Sequence, residues 1–302
     1  MASQKFRAFR SRVISRAIVA VSAIGRRLPL ETGRRCGRVL GRICYHILPR
    51  TRRQALDNLR IAFPDWSDRQ RLETTHGMFL HLGQSLFEIV WLPNMTPALR
   101  DQTTVIEGFE PLRALLEAGR GVIAFTGHCG NWEWLAYAVA TFGYPVSVLQ
   151  RERGEGELNQ FITGIRSTGG IRTIDRGSTA TARELIQAIR RGGFLAFLID
   201  QNIRAESARI NFFGRPALTP IGPARLAIRT EAVVVSAFIE RRGRMQYIRI
   251  LEPIECRRDD DPTVLTTRLT ADIEEQIRRV PEQWVWMHDR WKERTGWDVQ
   301  GD

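Results

Sequence analysis

From about residue 105 onward, short apolar runs rich in β-branched residues alternate with stretches of helical periodicity. The runs are Gly121–Thr126, Pro145–Leu149, Ile171–Ile174, Phe194–Ile199, Val233–Ile239 and Tyr247–Leu251. Helices are expected to alternate with them, over 109–118, 131–142, 157–168, 179–191, 222–230 and 263–279. Strands that are apolar throughout are buried on both faces, and crossover helices supply the cover. The expected class is therefore α/β, with a central, mostly parallel sheet flanked by helices. In such sheets ligands bind beyond the carboxyl ends of the strands.

Upstream the pattern is helical. Residues 30–60 read as basic helix. Ala62-Phe-Pro-Asp-Trp-Ser67 is a turn in which Ser67 can cap the next helix. That helix is expected over Leu72–Leu92, with Met78, Phe79, Leu82, Leu86, Ile89 and Val90 as its apolar face and Pro93 as its end. Trp134–Gln150 is uncharged, but Gly143 and Pro145 break it into helix, turn and strand.

The formal charge is +12, and it is unevenly placed. Residues 1–60 hold 15 Lys/Arg against Glu31 and Asp57, so the rest of the chain is close to neutral. Phe6, Phe9, Val13, Ala17, Ala20, Val21 and Ile24 make one helical stripe, with Lys5, Arg12, Arg16 and Arg26 opposite. That is the form of a helix lying in a lipid interface, and an anionic membrane surface is the expected partner. An amphipathic helix packed on its own domain has the same pattern. The uncharged run Ala17–Gly25 is far short of the ~20 residues of a span, and no small-residue cleavage site accompanies it. The expected division is residues 1–60 as a docking segment and 61–302 as the catalytic domain. Cys36, Cys44, Cys129 and Cys256 form no Cys-x-x-Cys pair, so neither a zinc site nor a disulfide framework is indicated.

The stretch Gly121–Trp134, GVIAFTGHCGNWEW, carries the chemistry. His128 stands at the carboxyl end of an expected strand, and Glu133 follows five positions later. On one continuous helix they would sit about 140° apart. They can meet if Gly127 and Gly130 form a tight turn and Asn131 caps a new helix, with Glu133 in its first turn. Glu133 would then hold one ring nitrogen of His128 and leave the other as a base able to take a proton from a hydroxyl. A histidine satisfied in a turn beside a helix-capping glutamate fits the bare motif equally. No Gly-x-Ser-x-Gly elbow supplies a protein nucleophile, and Cys129 points away from its neighbour. Direct attack by a substrate hydroxyl is the expectation. A His-Glu-x-x-His zinc motif and a Walker A loop are both missing from the sequence. Gly127-His-Cys-Gly130 matches the Gly-x-x-Gly of an RNA-binding loop but has no basic or aromatic platform, so no nucleic acid is expected.

GHCGNWEW resembles the His-x4-Asp/Glu motif of membrane-lipid acyltransferases in the lysophospholipid acyltransferase-like superfamily. It is most similar to the late acyltransferases of lipid A biosynthesis (the lauroyl and myristoyl transferases) and to relatives that acylate mannosylated phosphatidylinositol. Four further blocks carry the likeness: Asn58-Leu-Arg-Ile-Ala-Phe-Pro64, Leu198-Ile-Asp-Gln-Asn202, Asn211-Phe-Phe-Gly-Arg-Pro-Ala217, and Pro281-Glu-Gln-Trp-Val-Trp-Met-His-Asp-Arg-Trp-Lys292. Asn202 departs from the acid more usual at its position.

The resemblance implies a glycerolipid acyltransferase-like fold and acyl transfer from an acyl carrier protein or acyl-CoA thioester to a glycolipid hydroxyl, on the cytoplasmic face of an inner membrane. His128 would be the base and Glu133 its orienting partner. Arg166, Arg151 and Asp200 would contact substrate, as would Asn131 beside the turn. Backbone N–H groups of Gly127–Asn131 can hold the oxyanion. Trp132, Trp134, Phe212 and Phe213 are candidate walls of an apolar trough. No cofactor, metal or acyl-enzyme is called for. The alternatives are a lysophospholipid or phosphatidylinositol mannoside acyltransferase, a thioesterase-like enzyme using the same pair, or a membrane-binding scaffold that kept the fold without the chemistry.

Overall fold

The computed structural model describes residues 25–151, 157–177, 180–292 and 299–300. The apolar stripe expected over Phe6–Ile24 lies outside them. The basic region forms two helices, α1 (Leu30–Ile47) and α2 (Pro49–Ala62), with Pro49 at the first position of the second. Ser67 caps α3 (Asp68–Trp91) with a full capping box to Gln70, and the helix gives way to a 3-10 turn containing Pro93. Of the apolar face expected for α3, Met78, Phe79 and Val90 are buried, whereas Leu86 is exposed.

A short helix α4 (Pro97–Thr103) leads into β1 (Thr104–Glu107) and α5 (Glu110–Glu117). Strand and helix then alternate: β2 (Val122–Thr126), α6 (Trp132–Ala140), β3 (Val146–Arg151), α7 (Glu157–Thr168), β4 (Ile171–Arg176), α8 (Thr181–Arg190) and β5 (Phe194–Leu198). After a hairpin of β6 (Ser207–Phe212) and β7 (Arg215–Pro220) come α9 (Gly222–Thr230), β8 (Val233–Arg242), β9 (Met245–Ile250), β10 (Ile254–Glu255) and α10 (Pro262–Arg279).

The main sheet has the order β1-β9-β8-β2-β5-β3-β4, with β10 on the side of β8. From β8 to β4 every neighbour is parallel, and β9 runs antiparallel to β8. The mostly parallel sheet is thus as expected. The hairpin and β1 were not anticipated; β6 and β7 form a separate sheet with β11 (Val299–Gln300). The core is double, as a sheet covered on both faces requires. Val122, Val146, Val148, Phe194 and Val235 pack toward α5 and α6, while Ile123, Phe125, Leu195, Phe197 and Val234 pack toward α9 and α10. Among the described residues no helix is long and apolar enough to cross a membrane.

Candidate active site

β2 and β5 are adjacent and parallel, in register from Val122↔Phe194 to Thr126↔Leu198. Their carboxyl ends therefore set Gly127-His128 beside Ile199-Asp200. Asp200 is 2% exposed and takes hold of the histidine twice. The His128 backbone N–H donates to Asp200 Oδ2 at 2.7 Å, and the ring Nδ1 lies 2.8 Å from Oδ1. Trp284 Nε1–H donates to the same Oδ2 at 2.7 Å. Burial opposes the charge on Asp200. Attraction to His128 and the hydrogen bonds from His128 and Trp284 outweigh it and take the carboxyl down to about 2. An ionised carboxylate only accepts, so the proton sits on Nδ1 and Nε2 is left as the unprotonated nitrogen.

Close approach here depends on glycine. A Cβ at position 127 would come within 3.1 Å of Asp200 Oδ2 and 3.0 Å of Ile273 Cγ2. Gly130 has φ of 59°, and a Cβ there would overlap the Ile239 carbonyl oxygen. Gly130→Ala is accordingly expected to lower the melting temperature by several degrees, a cost of about 1–3 kcal/mol from the backbone conformation plus the collision. Thermal denaturation followed by circular dichroism checks it.

Glu133 falls in the first turn of α6, as the sequence indicates, but its partner is different. No hydrogen bond joins it to His128. Its two oxygens clamp Arg166, with Nε to Oε2 at 2.9 Å and Nη2 to Oε1 at 2.6 Å. Arg166 Nη1 also donates to Gln150 Oε1 at 2.9 Å, which leaves two of the five guanidinium N–H groups free of these partners. The bond to the ring expected of Glu133 is made by Asp200 instead, because a neighbouring strand end reaches the ring while α6 carries Glu133 toward α7.

The turn itself is held from behind. Asn131 is 1% exposed; its Oδ1 accepts from Trp134 N–H at 3.1 Å and its Nδ2 donates to Glu88 Oε2 at 2.9 Å. It caps α6 and ties it to α3, and it is not part of the cavity wall. The N–H groups of His128 and Gly130 are likewise engaged, by Asp200 and by the Gln283 carbonyl oxygen, and so do not face a substrate oxygen. Arg151 ends β3 opposite Arg176; its side chain lies outside the description.

Several motif blocks meet behind the histidine rather than in front of it. Asn58 Nδ2 donates to the carbonyl oxygens of Trp286 and His288, each at 2.6 Å. Asn202 Nδ2 donates to the Lys292 carbonyl oxygen at 2.7 Å, and its backbone N–H donates to His288 Nε2 at 2.9 Å. Arg290, fully buried, donates to Thr219 Oγ1 at 2.6 Å and to the Leu218 carbonyl oxygen. Phe63 stacks on Trp66 and meets Phe213 edge-on. Phe212, Phe213 and Trp134 are core residues; of the four candidate walls only Trp132 lines the cavity, edge-on to His128 at 4.9 Å between centroids. Cys129 is buried, and burial raises its thiol well above the usual range.

The cavity is about 970 Å³. His128, Trp132, Glu133, Gln150 and Arg166 stand in its wall, and most of the remaining lining is apolar. It exists because the sheet divides. β3 stops pairing with β5 at Val148↔Ala196, yet continues with β4 to Arg151, while β5 continues with β2 to Leu198. Alternate residues of a strand face opposite sides, and both Ala196 and Phe197 line the space, so it passes from one face of the sheet to the other. On one face small side chains leave the room: Ala124 and Ala196 are register partners, with Ala136 of α6 also in the wall.

The model of a family described as bacterial lipid A biosynthesis acyltransferase matches residues 2–293. The chain belongs to this family. Among its relatives, the phosphatidylinositol mannoside acyltransferase of Mycobacterium tuberculosis (strain CDC 1551 / Oshkosh) is 26% identical over 68% of this chain and 66% of its own length, just under two thirds. The lipid A biosynthesis lauroyltransferase of Escherichia coli (strain K12) is 25% identical over 88% of this chain and 87% of its own. The myristoyltransferase of the same strain is 22% identical over 86% and 81%. The family match covers all five sequence blocks, including those that form the back of the histidine site.

Two of the site's features lie beyond what local spacing in the sequence specifies. The pairing of His128 with Asp200 spans 72 positions and depends on which strand lies next to β2. Glu88 did leave a trace: His81, Ser85 and Glu88 recur at i, i+4 and i+7, a polar stripe on a helix face that is buried.

Proposed function

We propose that this protein is an O-acyltransferase that moves a fatty acyl chain from an acyl thioester to a hydroxyl of a glycolipid. The observation that carries the reading is His128, tethered to a buried, ionised Asp200 and partly exposed at the wall of a large, mainly apolar cavity. Family membership supports acyl transfer and a glycolipid acceptor.

In this reading the acceptor hydroxyl gives its proton to His128 Nε2 as its oxygen forms a bond to the thioester carbonyl carbon. The ring becomes a cation beside Asp200, which stabilises it without taking the proton. The tetrahedral intermediate then expels the thiolate as the carbon–sulfur bond breaks, and the imidazolium proton neutralises the leaving sulfur. The two uncommitted N–H groups of Arg166 are the candidates for the oxyanion, and the Glu133 clamp fixes the plane from which they point. The apolar lining receives the hydrocarbon chain, each buried methylene contributing about 0.8 kcal/mol. Arg151 remains a candidate substrate contact.

The preferred acceptor is a lipid A precursor, with acyl carrier protein or acyl-CoA as donor, and the site of action is the cytoplasmic face of an inner membrane, approached peripherally. A mannosylated phosphatidylinositol is the second reading, favoured by relatives named as phosphatidylinositol mannoside acyltransferases. Incubation with an acyl-carrier thioester, with and without each acceptor, tests the proposal by mass spectrometry. Acylated glycolipid is expected only with acceptor present. Thioester hydrolysis alone, or no reaction with any donor, would remove it.

A further inference from the structure

Helix α1 has two faces that differ in kind. One is committed to the protein. Gly33, Gly37 and Gly41 recur every four residues and are buried, and a Cβ on Gly37 or Gly41 would overlap the backbone of α3 at Gly83 or Phe79. Arg34 on the same side bonds Glu88 of α3 and, at 2.7 Å, the Arg244 carbonyl oxygen. The helix is therefore seated backbone to backbone on α3, and its opposite face meets no other helix or strand among the described residues. On that face Val39, Ile43 and Ile47 stand at helical repeats and are 56%, 49% and 64% exposed, with Leu48 beside them. Arg35, Arg38 and Arg42 run alongside, also exposed, and none has an acidic partner among the described residues. A contiguous apolar stripe left in water beside unpaired cations marks an interaction surface.

We propose that this face of α1 is a docking surface for an anionic lipid leaflet, with Val39, Ile43 and Ile47 entering the acyl boundary and the three arginines at the level of the lipid phosphates. The inference rests on the acyltransferase reading only in expecting the protein at a membrane. Charge selects the occupant. A symmetric pairing with a second copy would lay the arginine row against itself in a chain of net charge +12. A lipid interface meets both the apolar and the basic half of the face, which is the requirement of an interfacial helix. Docking by α1 also holds the active site at a fixed place, because Glu88, bonded by Arg34, bonds Asn131 of the catalytic turn.

The test uses the full chain with phosphatidylcholine vesicles, alone or mixed with phosphatidylglycerol, and measures co-sedimentation. Each arginine near an anionic surface is worth about fivefold in partitioning, so the Arg35→Gln/Arg38→Gln/Arg42→Gln variant should bind mixed vesicles about a hundredfold more weakly. Val39→Glu/Ile43→Glu should lose about tenfold or more, with melting temperature unchanged. Transfer to a detergent-dispersed acceptor should stay at the wild-type rate in both variants, which separates a failure of docking from a failure of the chemistry. Unchanged vesicle binding in both variants would overturn the proposal. So would a lowered melting temperature in Val39→Glu/Ile43→Glu, since that would mean residues 1–24 cover the stripe. A dimer in light scattering that these substitutions dissociate would assign the face to a second copy. Lost binding of an acidic carrier protein, with vesicle binding intact, would assign it to that partner.

Discussion

Replacing Asp200 by Asn is expected to lower the rate of acyl transfer by about 10²–10⁴-fold, the range seen when a carboxylate that fixes a catalytic imidazole is made neutral. Asparagine can still accept from the His128 and Trp284 N–H groups, so the turn should keep its shape. What it removes is the charge that stabilises the imidazolium and the acceptor-only oxygen that keeps the proton on Nδ1. The effect should fall on kcat, with KM for the acyl donor little changed, because Asp200 is buried behind the ring. Glu133→Gln should cost less, through a weaker hold on Arg166. A greater loss for Glu133→Gln than for Asp200→Asn, measured side by side, would return the orienting role to Glu133.

The second large effect concerns stability. Glu88 is fully buried and accepts from Arg34, Arg241, Asn131 and Gln246 at once. Burial opposes its charge, but Arg241 foremost, then Arg34 and Asn131, overcome that and bring its carboxyl down to about 2. Glu88→Ala leaves Arg241 buried without a counter-ion and Arg34 with only Glu31, at a cost of about 3–5 kcal/mol. His81 cannot help: burial, then the charge of Arg241, lowers it to about 3, and its Nδ1 already faces an arginine donor. The melting temperature should fall by about 10 °C. The same groups set the acid limit of the fold. Glu88 and Asp200 both titrate lower in the folded chain than in the unfolded one, so their stabilisation is complete above about pH 5 and is lost as pH falls toward 2. Urea midpoints at pH 6, 4 and 3 should decline in that order for the wild type. The decline should be shallower for Glu88→Ala.

Much of this architecture was legible in the residues, and the exceptions have physical causes. Buried parallel strands announce themselves as unbroken β-branched runs, so β2, β3, β5 and β8 could be placed closely. The β6–β7 hairpin escaped because its signal is alternation, with Ala208, Ile210 and Phe212 inward, and because Phe213 turns the chain at φ of 53°, a conformation that a bulky residue does not advertise. At the site the sequence yielded the imidazole, the capped helix after it and Asp200 as a strand-end residue. It could not say which carboxylate reaches the ring. Local spacing favoured Glu133, whereas the register of β2 against β5 delivers Asp200. Asn131 and the backbone N–H groups of Gly127–Asn131 are expected to meet substrate because they flank the histidine. The Asn131 side chain and the N–H groups of His128 and Gly130 instead brace the turn from behind, through Glu88, Asp200 and Gln283.

The central claim is that Nε2 of His128 takes the proton from the attacking hydroxyl. The most direct test is the single-turnover rate of transfer from an acyl-carrier thioester to the glycolipid acceptor in the wild type and in His128→Ala, with folding and thioester binding verified for both. The account predicts a loss of about 10³-fold or more at unchanged melting temperature and unchanged donor affinity. Transfer within a few-fold of the wild-type rate would contradict it.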